Sequence, residues 1–314
     1  MRRFFLLDGQ LHPAWRVALY LVVALIGSFA VQVVFGVVYA LAAAALALLT
    51  GDDPARLGQA LASGDIPPLL LALLSLSGLP WALVVTWAFR RWLDKASLGS
   101  LGFARQGLWG ETAWGLGGAL VCMGLILAVH LALGWAEVGV AASAPQAAGV
   151  LLFMFFALLP AAAIEEIIFR GYVLQTLEAW RGWRLALVVS SLLFGLAHFF
   201  NPSFGGLPLA NIILAGAAFG LMYRRTRRLW LPIAYHFMWN YAQGPLFGFP
   251  VSGLNFETIL QTETTGPALW TGGAFGPEGG LIVTGVLLLL IGLLAAWEMR
   301  HAIRDKRYAI GDTR

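Results

Sequence analysis

Charge is scarce in this 314-residue chain: Asp, Glu, Lys and Arg make up 11% of it, and apolar residues 60%. Ordinary soluble domains carry about a quarter charged residues, so a soluble globular fold is excluded. Cys122 is the only cysteine, so no internal disulfide can form. A lone cysteine inside an apolar run is normally packing and says nothing of redox compartment. No repeat period, low-complexity tract or appended soluble domain stands out. Also absent are an HExxH, a GxSG serine motif and paired GxGD aspartates, which removes the protease chemistries those motifs carry.

What the chain does have is apolar length. Eight runs, near 14–48, 67–89, 109–133, 148–179, 184–200, 208–223, 229–244 and 280–299, approach the roughly 20 residues that span hydrocarbon as helix. The fold class read from this is all-α, a polytopic membrane protein with about eight transmembrane helices. It divides into helices 1–3 over residues 1–147, a core of helices 4–7 over 148–245, and an outer loop, helix 8 and basic tail over 246–314. The opening MRRFFLLDGQ leads into an apolar stretch too long for a signal peptide and reads as part of the first span.

The net charge of +4 comes from clusters that all fall on one side. They are Arg2, Arg3 and Arg16; Arg90, Arg91, Lys95 and Arg105; Arg181 and Arg184; Arg224, Arg225, Arg227 and Arg228; and Arg300, Arg304, Lys306, Arg307 and Arg314. The opposite loops carry Asp52, Asp53, Asp65, Glu137, Glu257, Glu263 and Glu278, with only Arg56 basic. The positive-inside rule then puts both termini in the cytoplasm, in a plasma (inner) membrane protein. The basic runs face lipid headgroups; no nucleic-acid partner is expected, and no feature sets an oligomeric state.

Ionisable residues inside a span cost about 3 kcal/mol each on insertion scales, so they need partners or a task. They concentrate within spans four to seven: Glu165, Glu166 and Arg170 in the fourth, His198 in the fifth, His236 with Asn240 in the seventh. If the fourth and fifth form a hairpin turning near position 182, Glu165 lies 17 residues before the turn and His198 16 after it. At about 1.5 Å per residue the two share a depth. Glu166 and Arg170, four apart, share a helix face, as do His236 and Asn240. The neighbouring carboxylates diverge by about 100°, so Glu165 can face a site while Glu166 pairs with Arg170.

Glu165, His198, His236 and Asn240 thus combine a carboxylate base, two imidazoles and an amide in surroundings poor in water. A glutamate with a histidine can deprotonate a shared water for attack on a carbonyl, and an imidazole and an amide can hold the oxyanion. The same Glu165, His198 and His236 also form a His₂Glu set of the kind that binds Zn²⁺. No cofactor is required on the first reading, and a divalent zinc ion is the alternative. His130, with no second ligand a turn away, reads as an interfacial histidine with a satisfied ring. The stretch 245–279, rich in Gly, Pro and Thr, reads as a flexible outer loop and a candidate lid.

EEIIFR at Glu165–Arg170 fits EExxxR, FGLAH at Phe194–His198 fits FxxxH, and HFMWN at His236–Asn240 fits HxxxN. In this order on successive apolar segments, over roughly 148–243, the chain resembles the CAAX prenyl protease and bacteriocin-processing (CPBP, Abi) family of intramembrane proteases, of the Ras-converting-enzyme type. The resemblance implies a glutamate-dependent intramembrane endopeptidase acting on a peptide or membrane-protein substrate. In it, Glu165 and His198 activate water, His236 and Asn240 stabilise the oxyanion, and Glu166 with Arg170 is a supporting pair. Prenylated substrates do not carry over, because nothing in the sequence indicates a prenyl group. Two other functions compete. A non-catalytic immunity or assembly partner could be built on the same scaffold. An ion-coupled transporter would also keep Glu, His and Arg in mid-membrane, but repeated halves with broken helices are its usual mark, and none is seen.

Overall fold

The computed structural model describes residues 6–7, 10–51, 53, 55, 58–59 and 67–311, apart from the side chains of 298–311. Eight helices fall on the eight apolar runs: α1 (Pro13–Thr50), α2 (Pro68–Trp92), α3 (Leu108–Ala132), α4 (Ala144–Arg181), α5 (Trp183–Ala197), α6 (Gly206–Thr226), α7 (Trp230–Tyr241) and α8 (Leu281–Gly311). In hydrocarbon no water can satisfy backbone groups, so an isolated apolar run pairs its own amides and carbonyls as helix. Among the described residues, five of the eight (α1–α4 and α6) are long and apolar enough to cross a membrane. Of the three shorter or less apolar ones, α5, α7 and α8, two border or carry candidate site residues: α5 stops at Ala197 with His198 as its cap, and α7, which carries His236, passes into a π-turn at Ala242–Leu246.

The helices pack as a bundle in which α2 lies between α1 and α4, α3 packs on α7, and α6 lies between α5 and α8. Ser143 and Gln146 begin α4 with reciprocal side-chain caps, the Ser143 amide donating to the Gln146 side chain at 3.0 Å. Gly182, at φ 81, ends α4 and turns the chain directly into α5. At the Arg-rich end, acidic residues neutralise part of the charge: Arg16 meets Asp94 at 3.0 Å, Arg224 and Arg227 share Glu178 at 3.2 and 2.9 Å, and Arg228 pairs with Glu111. Arg2, Arg3, Asp52, Arg56, Asp65 and Arg314 lie outside the described residues, as do the side chains of Arg300, Arg304, Lys306 and Arg307.

His130, two residues from the end of α3, is fully buried in protein, its Nδ1 2.7 Å from the Ile126 carbonyl. One expectation changes. The stretch 245–279 is an ordered cap, not a flexible loop. Its strand β4 (Leu260–Thr264) pairs antiparallel with β3 (Ala136–Val140), while two short strands near the N-terminus, β1 (Leu6–Leu7) and β2 (Gln10–Leu11), form a separate hairpin. Backbone bonds from Phe249 to Gln243, Ile259 to Pro245 and Gly253 to Phe275, each 2.9 Å, fold the cap back on the bundle. The glycines that suggested mobility are what permit this: Gly248 takes φ +74, and a Cβ there would collide with the Leu260 carbonyl.

Candidate active site

The α4–α5 hairpin brings Glu165 and His198 to one level, as the residue count about position 182 predicts. Glu165 Oε2 is 3.9 Å from His198 Nε2, and α7 places His236 Nε2 3.8 Å from the same oxygen. Both separations exceed a direct hydrogen bond. They match the span that one water bridges between polar groups.

The other nitrogen of each ring is held, which fixes what faces Glu165. His198 Nδ1 is 2.9 Å from the Phe194 carbonyl, an acceptor only, so Nδ1 carries the proton and donates. His236 Nδ1 is 3.0 Å from Glu166 Oε1, which also accepts from Arg170 Nη1 at 2.9 Å. That carboxylate is therefore ionised, and His236 Nδ1 donates as well. With its Nδ1 so engaged, each ring turns its Nε2 toward Glu165. The second glutamate does more than neutralise its arginine: through Oε1 it ties α4 to α7 and sets the rotamer of a site imidazole.

Glu166 and Arg170 are both fully buried. Arg170 Nη2 also donates to the Gly216 carbonyl at 3.0 Å, and the guanidinium lies 4.3 Å from the Phe194 ring centroid and 5.1 Å from that of Phe219. Phe219 stacks on His236 with centroids 4.9 Å apart. The aromatic pair Phe194 and Phe219 encloses the ion network. Immediately after Glu166 the helix widens into a π-stretch, Ile167–Leu174, every residue of it buried. Such insertions recur at functional sites because they re-aim side chains without ending the helix.

Glu165, His198, His236 and Asn240 line one cavity of about 400 Å³, with Leu158, Ile164 and Leu254 on its apolar walls. All four candidate residues are thus brought together, and Glu166 and Arg170 stand behind them. One carboxylate of the lining is not among the candidates read from the sequence. Glu278, from the outer cap, accepts from the Trp239 indole at 3.2 Å and from the Ser252 amide and hydroxyl, each at 2.7 Å. Its backbone carbonyl takes Asn211 Nδ2 at 2.7 Å. These bonds fasten the cap over the cavity. No helical spacing relates Glu278 to the motifs, so only the folded cap reveals it.

Two Nε2 lone pairs and a carboxylate are the right donor types for zinc. Ligands about 2.0–2.2 Å from a tetrahedral zinc lie about 3.3–3.6 Å from each other, closer than the 3.8 and 3.9 Å found. Among the described residues no group of three His, Cys, Asp or Glu side chains is set to hold a metal ion. In this arrangement the set does not close on a metal.

Residues 145–242 match the family model described as Rce1-like, type II CAAX prenyl endopeptidase Rce1-like. That range contains all three motifs, so the resemblance they carry holds over the helices that build the site. An 80-residue stretch is 34% identical to the "Putative membrane peptidase YdiL" of Bacillus subtilis (strain 168), covering 24% of this chain and 30% of that protein. The chain therefore aligns with less than a third of this curated relative's length. No solved structure shows a significant match.

Proposed function

We propose that this integral membrane protein is an intramembrane endopeptidase that hydrolyses peptide bonds with a glutamate-activated water. The observation that carries the reading is the convergence of two histidine Nε2 atoms on Glu165 Oε2, at 3.9 and 3.8 Å, inside a largely apolar cavity. Water held there donates one proton toward Glu165 and is oriented by the lone pair of His198. Its oxygen attacks the scissile carbonyl carbon while Glu165 takes the proton. The oxyanion is met by the Asn240 amide, one turn from His236, and by His236. His236 can donate from Nε2 only as the imidazolium, and Glu166 on its Nδ1 is the counter-charge for that state. Glu165 then returns its proton to the leaving amine, which restores the carboxylate and releases both peptide fragments. Glu166 and Arg170 touch no substrate in this scheme; they position His236.

The family match over residues 145–242 and the named peptidase relative support the same chemistry. The expected substrate is a peptide or membrane-protein segment, and the expected setting is the plasma (inner) membrane with both termini cytoplasmic. The test is a peptide library challenged with protein purified in detergent, beside Glu165→Ala and His198→Ala. Cleavage by the wild type alone is expected; equal cleavage by all three would reject the assignment. A chelator arm with metal analysis addresses zinc: activity that falls with chelation and returns with Zn²⁺ would replace the metal-free scheme.

A further inference from the structure

The reaction cavity lies at the end of the bundle where, among the described residues, no Lys or Arg is found. Its loop-borne lining residues, Asn201, Val251, Ser252, Leu254, Phe256 and Glu278, come from the α5–α6 connector and the outer cap. None comes from the connectors at 93–107 or 227–229 at the opposite end. His198 itself caps the end of α5 that faces the cap. The opposite end holds Arg16 and the basic residues of 90–95, 181–184 and 224–228, whereas among the described residues the cavity end carries no Lys or Arg. Loops rich in Arg are retained in the cytoplasm, so the cavity end is the extracytoplasmic one.

A second cavity, about 830 Å³, adjoins the first on this face, between residues 141–153 and the cap. Phe256 lines both. The only charged side chain on the second wall is Glu257, accompanied by Asn255, Thr258 and Gln261. Amide and hydroxyl groups suit the backbone of an extended peptide, and with no cation among them, and with Glu257 present, the wall has no counter-charge for a lipid phosphate. We propose that the substrate is an extended polypeptide segment, neutral or basic, presented at the extracytoplasmic face and admitted along this groove past Phe256. The inference rests on the peptidase reading above and adds the side and the route.

The experiment uses the full-length protein in intact cells. In a Cys122→Ser background, Ser97→Cys and Thr265→Cys are labelled with a membrane-impermeant maleimide. Membrane-tethered reporter peptides are displayed on either face, with Glu165→Ala as the control. Labelling of Thr265→Cys but not Ser97→Cys is expected, with outward reporters cut at least tenfold faster than inward ones, dependent on Glu165. Asn255→Trp, which fills the groove from an exposed position, should lower kcat/KM for the outward reporter at least tenfold with an unchanged unfolding temperature. Reversed labelling, or Glu165-dependent cleavage confined to inward reporters, overturns the inference and leaves the peptidase reading intact. Full activity of the folded Asn255→Trp protein overturns the route. Absence of cleavage in every arm rejects the peptidase reading and the inference together.

Discussion

Helices α1 and α4 are both 38 residues long, and their most apolar 18-residue stretches have nearly the same mean hydropathy, 2.5 and 2.4, yet 11% of that stretch is buried in α1 and 33% in α4. Hydropathy reports which solvent a helix lives in, and both helices live in lipid. It does not report which helix other helices surround. That difference is set by a few polar atoms. Helix α1 is tied to α2 by neutral bonds within the span, Tyr20 to Thr86 at 2.8 Å and Trp81 to the Val23 carbonyl at 3.3 Å. Helix α4 carries Glu165, Glu166 and Arg170, whose polar contacts run to α5, α6 and α7. In a membrane, where apolar contact with lipid and with protein differ little, such groups decide the centre of the bundle.

Substitutions in the two helices sharpen the contrast. The largest effect is expected at Glu165: Glu165→Gln keeps the shape of the side chain, removes the base, and should lower kcat by about 10²–10⁴-fold. Its thermal unfolding in detergent should match the wild type, since Oε2 makes no direct hydrogen bond among the described residues. Glu166→Ala should act oppositely, through stability. It strands the buried Arg170 charge, a loss of about 3–5 kcal/mol, read as a lowered unfolding temperature and poor accumulation in the membrane. A stable Glu166→Ala protein would show that the ion network does not hold the core.

In α1 the effects should be small. Thr86→Val on α2 removes the partner of the buried Tyr20 hydroxyl and should cost about 1 kcal/mol, seen in thermal unfolding. Smallest of all, Phe29→Leu on the face of α1 that packs on nothing should change stability by less than about 0.5 kcal/mol and leave cleavage unchanged. A large loss at Phe29 would mean that α1 has a partner on that face, and the contrast with α4 would fail.

The legible part of the molecule follows the same division. Helix positions are readable because each apolar run must satisfy its own backbone in lipid. The meeting of Glu165 with His198 is readable because a tight turn at Gly182 makes depth a matter of counting residues. Glu166 is half readable: four-residue spacing gives Arg170, but no spacing gives His236, which is 70 positions away. The cap is the part that does not read. Its Gly, Pro and Thr content marks a loop by composition, while its order depends on positive-φ glycines and on Glu278, whose bonds form only once the chain has folded back.

The central claim is that Glu165 and His198 Nε2 share one water aimed at a peptide carbonyl whose oxygen is met by His236 and Asn240. It is tested most directly by a high-resolution crystal structure of Glu165→Gln with an uncleaved peptide bound. The account predicts a scissile carbonyl carbon about 3–3.5 Å from a solvent oxygen lying between residue 165 and His198, with the carbonyl oxygen turned toward the Asn240 amide. A peptide bound elsewhere in the bundle, or a carbonyl facing away from both histidines with no solvent between residue 165 and the rings, would contradict it.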